Sequence, residues 1–357
     1  MHIKSQIITL QSYNPGKPID LIKRKYGLDR VVKLSSNENP FGCSSKVSEA
    51  LKSISDQFSI YPDGAAEALS RKVAEFLSVN PDQLLFGSGA DEVIQILSRG
   101  LLESKHNIVQ ATPTFSQYEH HAIIEGAEVR NVPLKNGVHD LNAMFEQIDE
   151  QTKIVWICNP NNPTGTYVNQ TDLETFLHSV PKSTFVVVDE AYVEYVTADD
   201  FPDTISLLQK FDNLIILRTF SKVYGLASFR IGYGISSPEL MAELNKIRLP
   251  FNTSLTAQVV AMEAIEDQTF INHCVIENSN GLQLYVDFFG KYGIPFFHSQ
   301  ANFIYLEVEN SKEINEYLES KGFIIRQFPN AIRITVGTHK DNDELINYLK
   351  DFLVKNK

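Results

Sequence analysis

The chain has 357 residues, 43% of them hydrophobic and 21% charged, the make-up of an ordinary globular protein long enough for two domains and a sizeable core. Thirty-two basic residues against 44 acidic ones leave a formal charge of −12 with no basic block, which argues against a nucleic-acid partner while permitting a locally positive site for a small anion. The three cysteines, Cys43, Cys158 and Cys274, have no metal-ligand spacing and read as packing in a reducing compartment; with no signal-peptide core and no apolar run of membrane-spanning length, the expectation is a cytoplasmic protein that uses neither metal nor membrane.

Residues 1 to about 35 carry turn formers at 13–17 and a short amphipathic piece at 19–23, which predicts an N-terminal arm rather than a core element. The polar cluster at 33–42, broken by Pro40 and Gly42, reads as a loop, and Tyr61 begins a turn that continues through Pro62, Asp63 and Gly64. A short strand at 84–86 runs into small residues, Gly87 to Ala90, and then a helix with Val93, Ile96 and Leu97 on one face. Bare backbone N–H groups at such a helix start suit a phosphate. A dinucleotide fingerprint is the rival reading, but Glu92 stands where its third glycine belongs.

The strand at 107–110 ends near Phe115, an aromatic that is either a core plug or a platform for a flat ligand. The neighbouring His120 and His121 lack a second ligand cluster and do not make a metal site. A strand at 153–158 opens into a run dense in turn formers, 159–166, which includes Asn162. The next strand ends in Asp189, with Tyr192 three positions on. A carboxylate there is either a helix cap or a buried partner for a protonated ring nitrogen. Residues 213–217 form another apolar, β-branched run, and just past it stand Thr219, Ser221 and Lys222, with Arg230 eight residues beyond the lysine. A lysine at a strand's carboxyl end, held by packing below and hydroxyls beside it, is placed to react with a carbonyl.

Each of these loops follows a strand, with helices between, so repeated βαβ units and a mostly parallel sheet are predicted for 36–250. A hinge at 249–254 leads through a helical region to strands at 301–305, 323–326 and 331–336, a smaller α+β domain covering 251–357. Arg326 and Arg333 lie on its last two strands. Arginine inside an apolar strand calls for an anion, from a structural carboxylate or a ligand, and its planar fork suits a bidentate oxyanion.

The segment 218–230, the run 159–166 and the Asn37-Glu38-Asn39-Pro40 sequence together resemble the fold-type I aminotransferases that use pyridoxal 5'-phosphate, and in particular the histidinol-phosphate aminotransferase family, in the same order over nearly the whole chain. Ser228 and Phe229 depart from that family's usual smaller residues near the phosphate. The resemblance implies a Schiff base between Lys222 and the cofactor. It implies a cofactor phosphate held by Arg230, Thr219, Ser221, the amides of Ala90 and Asp91, and Tyr61 of a neighbouring subunit. Phe115 would stack on the pyridine, Asp189 would pair with its nitrogen, and Asn162 and Tyr192 would contact its phenolic oxygen. Substrate would meet Tyr13, Asn37, Asn162, Arg326 and Arg333. The implied protein is a homodimer with shared active sites that exchanges an amino group between L-histidinol phosphate and 2-oxoglutarate. Aromatic amino-acid aminotransferases and a phosphothreonine decarboxylase share most of these residues and stand as alternatives. A pyridoxal-phosphate transcription regulator would need an attached DNA-binding module, and the sequence offers no room for one ahead of its first signature.

Overall fold

The computed structural model describes residues 3–8, 10–12 and 15–353. Its strands are, in chain order, β1 (Val32–Leu34), β2 (Leu84–Gly87), β3 (Asn107–Thr112), β4 (Glu128–Pro133), β5 (Thr152–Cys158), β6 (Phe185–Asp189), β7 (Leu214–Thr219), β8 (Gly232–Ile235), β9 (Phe303–Glu307), β10 (Phe323–Phe328) and β11 (Ala331–Thr335). Seven of them make one sheet in the order β2-β8-β7-β6-β5-β3-β4. All run parallel except β8, which is antiparallel to both its neighbours. This is the mostly parallel α/β architecture expected from the motif order.

The central strands bury both faces, which is why they read as continuous apolar runs. Val155, Ile157, Val186, Val188, Leu214 and Ile216 pack to one side with Leu173 and Phe176. Ile154, Trp156, Val187, Ile215 and Leu217, one residue out of phase, pack to the other with Val93, Ile94, Leu97 and Leu244. Each such side chain contributes about 1.5–3 kcal/mol when fully buried, so the sheet is a rigid base for the loops at its carboxyl edge.

A second, four-stranded sheet has the order β1-β10-β11-β9, with β1 parallel to β10 and the other pairs antiparallel. Ile304, Leu306, Ile332 and Ile334 face a separate core that includes Tyr285, Phe289, Leu345 and Leu349. The strand period of two therefore turns Phe303, Arg333 and Thr335 to the opposite face. The helix Leu255–Glu266 packs on helices Ser45–Ser53 and Glu67–Leu77 of the larger layer, and the helix Gln268–Tyr292 follows it toward the smaller sheet. Among the described residues no helix is long and apolar enough to cross a membrane.

Candidate active site

The carboxyl ends of β3, β5, β6 and β7 converge on a cavity of about 330 Å³, closed on the far side by residues of β10 and β11. Ligands collect outside such strand ends because the loops there carry no sheet hydrogen bonds and are free to present side chains. Lys222 stands on the loop after β7. The N–H of Ser221 donates to Thr219 Oγ1 at 3.1 Å, and the N–H of Gly225 donates to the carbonyl of Lys222 at 2.9 Å. Gly225 has φ +71°, and a Cβ on it would sit 1.8 Å from the carbonyl oxygen of Gly42, so this tight turn requires glycine. The Lys222 amine donates to the carbonyl of Ser36 at 3.3 Å and lies 5.5 Å from the centre of the Tyr192 ring. Burial, and then the nearby Arg333 charge, bring its pKa down to about 8.

One end of the cavity is a cationic cup. The helix Ala90–Leu101 begins after Gly89, whose φ is +81° and where a Cβ would fall 2.4 Å from Arg230 Nη2. The carboxylate of Glu92 secures the turn by accepting from the Ser88 N–H at 2.5 Å and from Asn252 Nδ2 at 2.9 Å. That is the local reason a carboxylate occupies the position a dinucleotide fingerprint would give to glycine. Arg230 itself is left-handed, φ +54°, and its Nη1 donates to the Ala227 carbonyl at 3.0 Å and to Ser221 Oγ at 3.4 Å. Its Nη2 stands 3.7 Å from Asp91 Oδ2. Helix N–H groups, two hydroxyls and a guanidinium make a donor set for a phosphate monoester.

At the cavity floor Asp189 is buried. Its Oδ2 accepts from the Tyr118 hydroxyl at 2.6 Å and its Oδ1 from the Ala191 N–H at 3.1 Å. Burial pushes its pKa up to about 6 against the pull of these hydrogen bonds. Tyr118 is in turn stacked on Trp156, ring centres 4.4 Å apart, and meets Phe115 edge-on at 5.6 Å. Cys158, which from sequence reads as a packing residue, ends β5 at the cavity wall, with burial raising its thiol to about 12. It is therefore a neutral wall group at physiological pH.

Facing the floor from the smaller sheet, Arg333 Nη1 donates to Asn162 Oδ1 and its Nη2 to the carbonyl of Ser35 at 2.7 Å, while the guanidinium carbon lies 5.1 Å from the Phe303 ring centre. Arg326 is directly across from it in the β10–β11 register. Asn162 Nδ2 reaches Tyr192 Oη at 3.4 Å, and Asn37 Nδ2 donates to the same oxygen at 2.8 Å.

Lys222, Asp189, Tyr192, Asn37, Ala90, Asp91, Phe115, Asn162, Thr219, Ser221, Arg230, Arg326 and Arg333 thus all border one cavity. Tyr61 does not border it: this ring is 78% exposed and stacked on Phe251 at 4.6 Å. Tyr13 lies outside the described residues. Sequence reasoning passed over Tyr118, whose link to Asp189 spans 71 positions, and the wall residues Ser35, Ser36 and Glu38. The only signal for Tyr118 was its spacing of three from Phe115 on a helical start, which would put both near the same strand end.

The family described as aminotransferase class I and II matches residues 29–349. Histidinol-phosphate aminotransferase 1 of Bacillus cereus is 56% identical over 99% of this chain and 97% of its own length. The chain belongs to the class I and II aminotransferases, and within them to the histidinol-phosphate aminotransferase family. The Geobacillus histidinol-phosphate aminotransferase is 51% identical over 99% of this chain and 98% of its own. Among solved structures, that of the histidinol-phosphate aminotransferase from Sinorhizobium meliloti in complex with pyridoxal-5'-phosphate aligns with a TM-score of 0.90 at 25% identity, covering 99% of this chain and 98% of that one. This aminotransferase is a transaminase dependent on pyridoxal 5'-phosphate. The residues present fit the cofactor: a donor cup for its phosphate, an amine of lowered pKa for its aldehyde, and a buried carboxylate for its ring nitrogen.

Proposed function

We propose that this aminotransferase transfers the amino group between L-histidinol phosphate and a 2-oxo acid, with 2-oxoglutarate and glutamate as the partner pair, in histidine biosynthesis. The observation that carries the substrate class is the facing pair Arg326 and Arg333 on neighbouring strands of the smaller sheet, both lining the cavity that Arg230 also borders. Cations directly opposed on one sheet face repel, and an anion seated near them offsets that repulsion. A phosphate in one half-reaction and a carboxylate in the other meet this need, with Tyr13 of the arm as a further phosphate contact. The names of the relatives support the same substrate.

When bound, pyridoxal phosphate supplies an electron sink for the substrate's amino-bearing carbon. Arg230, Ser221, Thr219 and the amides of Ala90 and Asp91 would hold its phosphate, Phe115 would pack against the ring, and Asn162 and Tyr192 would donate to the phenolic oxygen. Asp189 would keep the ring nitrogen protonated, since a carboxylate in a dry floor stays charged most readily beside a cation. Lys222 Nζ, brought to about 8, is neutral in roughly one molecule in ten at pH 7. In that form it would be the group able to hold the cofactor's aldehyde and, when not so engaged, to carry a proton to or from the substrate carbon.

The working unit in this reading is a homodimer in the cytoplasm. The exposed Phe58, Ile60, Tyr61 and Leu249 support it, because a second copy would cover these apolar rings and chains and bring Tyr61 to the partner's phosphate cup. The division into an arm (1–35), a large cofactor lobe (36–250) and a small lobe (251–357) belongs to the same proposal, supported by the two separate sheets.

Two measurements test the reading. Borohydride treatment followed by peptide mapping should leave the cofactor's mass on the peptide holding Lys222, and a label on any other lysine sinks that assignment. Half-reactions with histidinol phosphate, histidinol, phenylalanine and phosphothreonine should favour the first. A charge-assisted hydrogen bond contributes about 1.5–3 kcal/mol, so loss of the phosphate should lower kcat/KM by at least about tenfold. Equal values for histidinol and its phosphate would refute the role given to Arg326.

A further inference from the structure

Asn37 lies between the two sheets, 1% exposed, in a left-handed conformation with φ +56°, and every polar atom it carries is in a hydrogen bond. Its N–H donates to Thr335 Oγ1 at 3.0 Å, and its carbonyl accepts from Asn302 Nδ2 at 3.0 Å. Its side-chain Oδ1 accepts from Thr335 Oγ1 at 3.0 Å, and its Nδ2 donates to the Tyr192 hydroxyl at 2.8 Å. Asparagine tolerates the left-handed region better than other non-glycine residues, so the backbone here suits the side chain that uses it.

Proton counting gives this cluster a direction. A hydroxyl carries one proton and two lone pairs. Thr335 Oγ1 accepts from the Asn37 N–H, and its single proton goes to Asn37 Oδ1. With the amide turned over, Oγ1 would accept from both Asn37 nitrogens and its own proton would lose Asn37 Oδ1, the acceptor it has here, so the arrangement with Nδ2 toward Tyr192 is the one that satisfies both groups. The Tyr192 oxygen then accepts from Asn37, and from Asn162 Nδ2 at 3.4 Å, so its own proton points to neither. With the amide turned over, Oδ1 would face Tyr192 and draw that proton away from the cavity. Thr335 is two residues beyond Arg333 on β11, so the strand that carries the proposed substrate anchor also carries the group that sets the amide.

We propose that Thr335 and Asn37 are positioning residues that aim the Tyr192 hydroxyl proton into the cavity, tying the substrate-anchoring strand to the reaction centre. The proposal rests on the reading that Tyr192 donates to the cofactor's phenolic oxygen. Asn37 is accordingly a part of the donor relay as well as a wall residue, a role its place in the sequence does not reveal.

The test uses the full chain loaded with pyridoxal 5'-phosphate and reads the pH at which the bound cofactor's visible band changes, together with cofactor affinity and melting temperature. A donor to the phenolic oxygen favours its ionised form and lowers that pH. Thr335→Val, nearly isosteric, frees the amide, and Asn37→Asp replaces the donor facing Tyr192 by an acceptor. Both should raise the transition by about one pH unit, a roughly tenfold change in the proton equilibrium, while Thr335→Ser should stay at the parent value. In a Tyr192→Phe background Thr335→Val should add no further shift. If Tyr192→Phe moves the band and Thr335→Val, folded to the parent melting temperature, does not, the relay is refuted and the site reading stands. If Tyr192→Phe also leaves the band in place while Lys222→Ala abolishes it, the contact assigned to Tyr192 falls and the relay with it. A Thr335→Val shift that Thr335→Ser reproduces would mean a packing effect and would also overturn the proposal.

Discussion

Replacing Arg333 separates two effects that one side chain combines. The guanidinium is buried, bonded to Asn162 Oδ1 and to the Ser35 carbonyl, and held over Phe303. Its charge also lowers the Lys222 pKa more than any other neighbouring charge does, second only to burial. Arg333→Lys keeps a charge but loses the planar fork and the ring contact. Arg333→Gln loses the charge too. Truncating one partner of a buried, hydrogen-bonded charge pair costs about 2–5 kcal/mol, so KM for the anionic substrate should rise roughly thirtyfold to a few thousandfold in both variants. The pH dependence of cofactor attachment to the cofactor-free protein should differ between them. That rate follows the neutral amine of Lys222, which titrates at about 8. Removing a neighbouring positive charge stabilises the ammonium form, so the Arg333→Gln profile should move to higher pH, and the Arg333→Lys profile should stay close to the parent. Stopped-flow absorbance between pH 6 and 10, with a parallel substrate titration, measures both. An Arg333→Lys enzyme with parental KM, or an Arg333→Gln profile that does not move, would refute the reasoning.

In the cofactor-free protein Asp189 titrates at about 6 against an ordinary 3.8, so the folded state binds its proton more tightly than the unfolded state. Unfolding then releases a proton between these values, and stability falls as pH rises through them, by at most about 3 kcal/mol at 1.36 kcal/mol per unit. Asp189→Asn should therefore stabilise the cofactor-free protein at pH 7.5 and not at pH 3.5, in urea titrations, while lowering transamination by orders of magnitude. A gain of equal size at both pH values would point to a cause other than titration. Glu190 and Arg218 form a buried pair behind the site, Oε2 to Nε at 2.9 Å and to Nη2 at 2.8 Å, with Thr204 Oγ1 donating to Oε1 at 2.7 Å. Glu190→Gln removes the charge from a pair that is costly to break, about 3–5 kcal/mol, and its urea midpoint should fall accordingly. A loss below about 1 kcal/mol would show that neighbouring groups already compensate Arg218.

The strands of the larger sheet were legible because burial on both faces leaves unbroken apolar runs, as at Phe185–Asp189 and Leu214–Thr219. Three strands were not. β8, Gly232–Ile235, has glycine at two of its four positions, which blurs a local strand signal. β4, Glu128–Pro133, is an edge strand whose Glu128, Arg130 and Asn131 hide its pairing with β3. β1 is three residues long and owes its existence to a partner, β10, that lies almost 300 positions later. No local pattern announces a pairing of that kind.

What the sequence by itself determined is which chemical groups stand at the end of which strand: Asp189 after β6, Lys222 after β7, Asn162 after β5, and the two arginines on the final hairpin. Their kinds and spacings are covalent facts, and apolar runs just before the loops mark where each would surface. What only the tertiary structure decided is how those groups are tuned. Tyr118 donates to Asp189, Arg333 lowers Lys222, and Thr335 turns the Asn37 amide toward Tyr192. Hydrogen-bond direction and pKa depend on distances of a few ångströms between residues far apart in the chain, and those distances exist only after the two sheets have closed on one another.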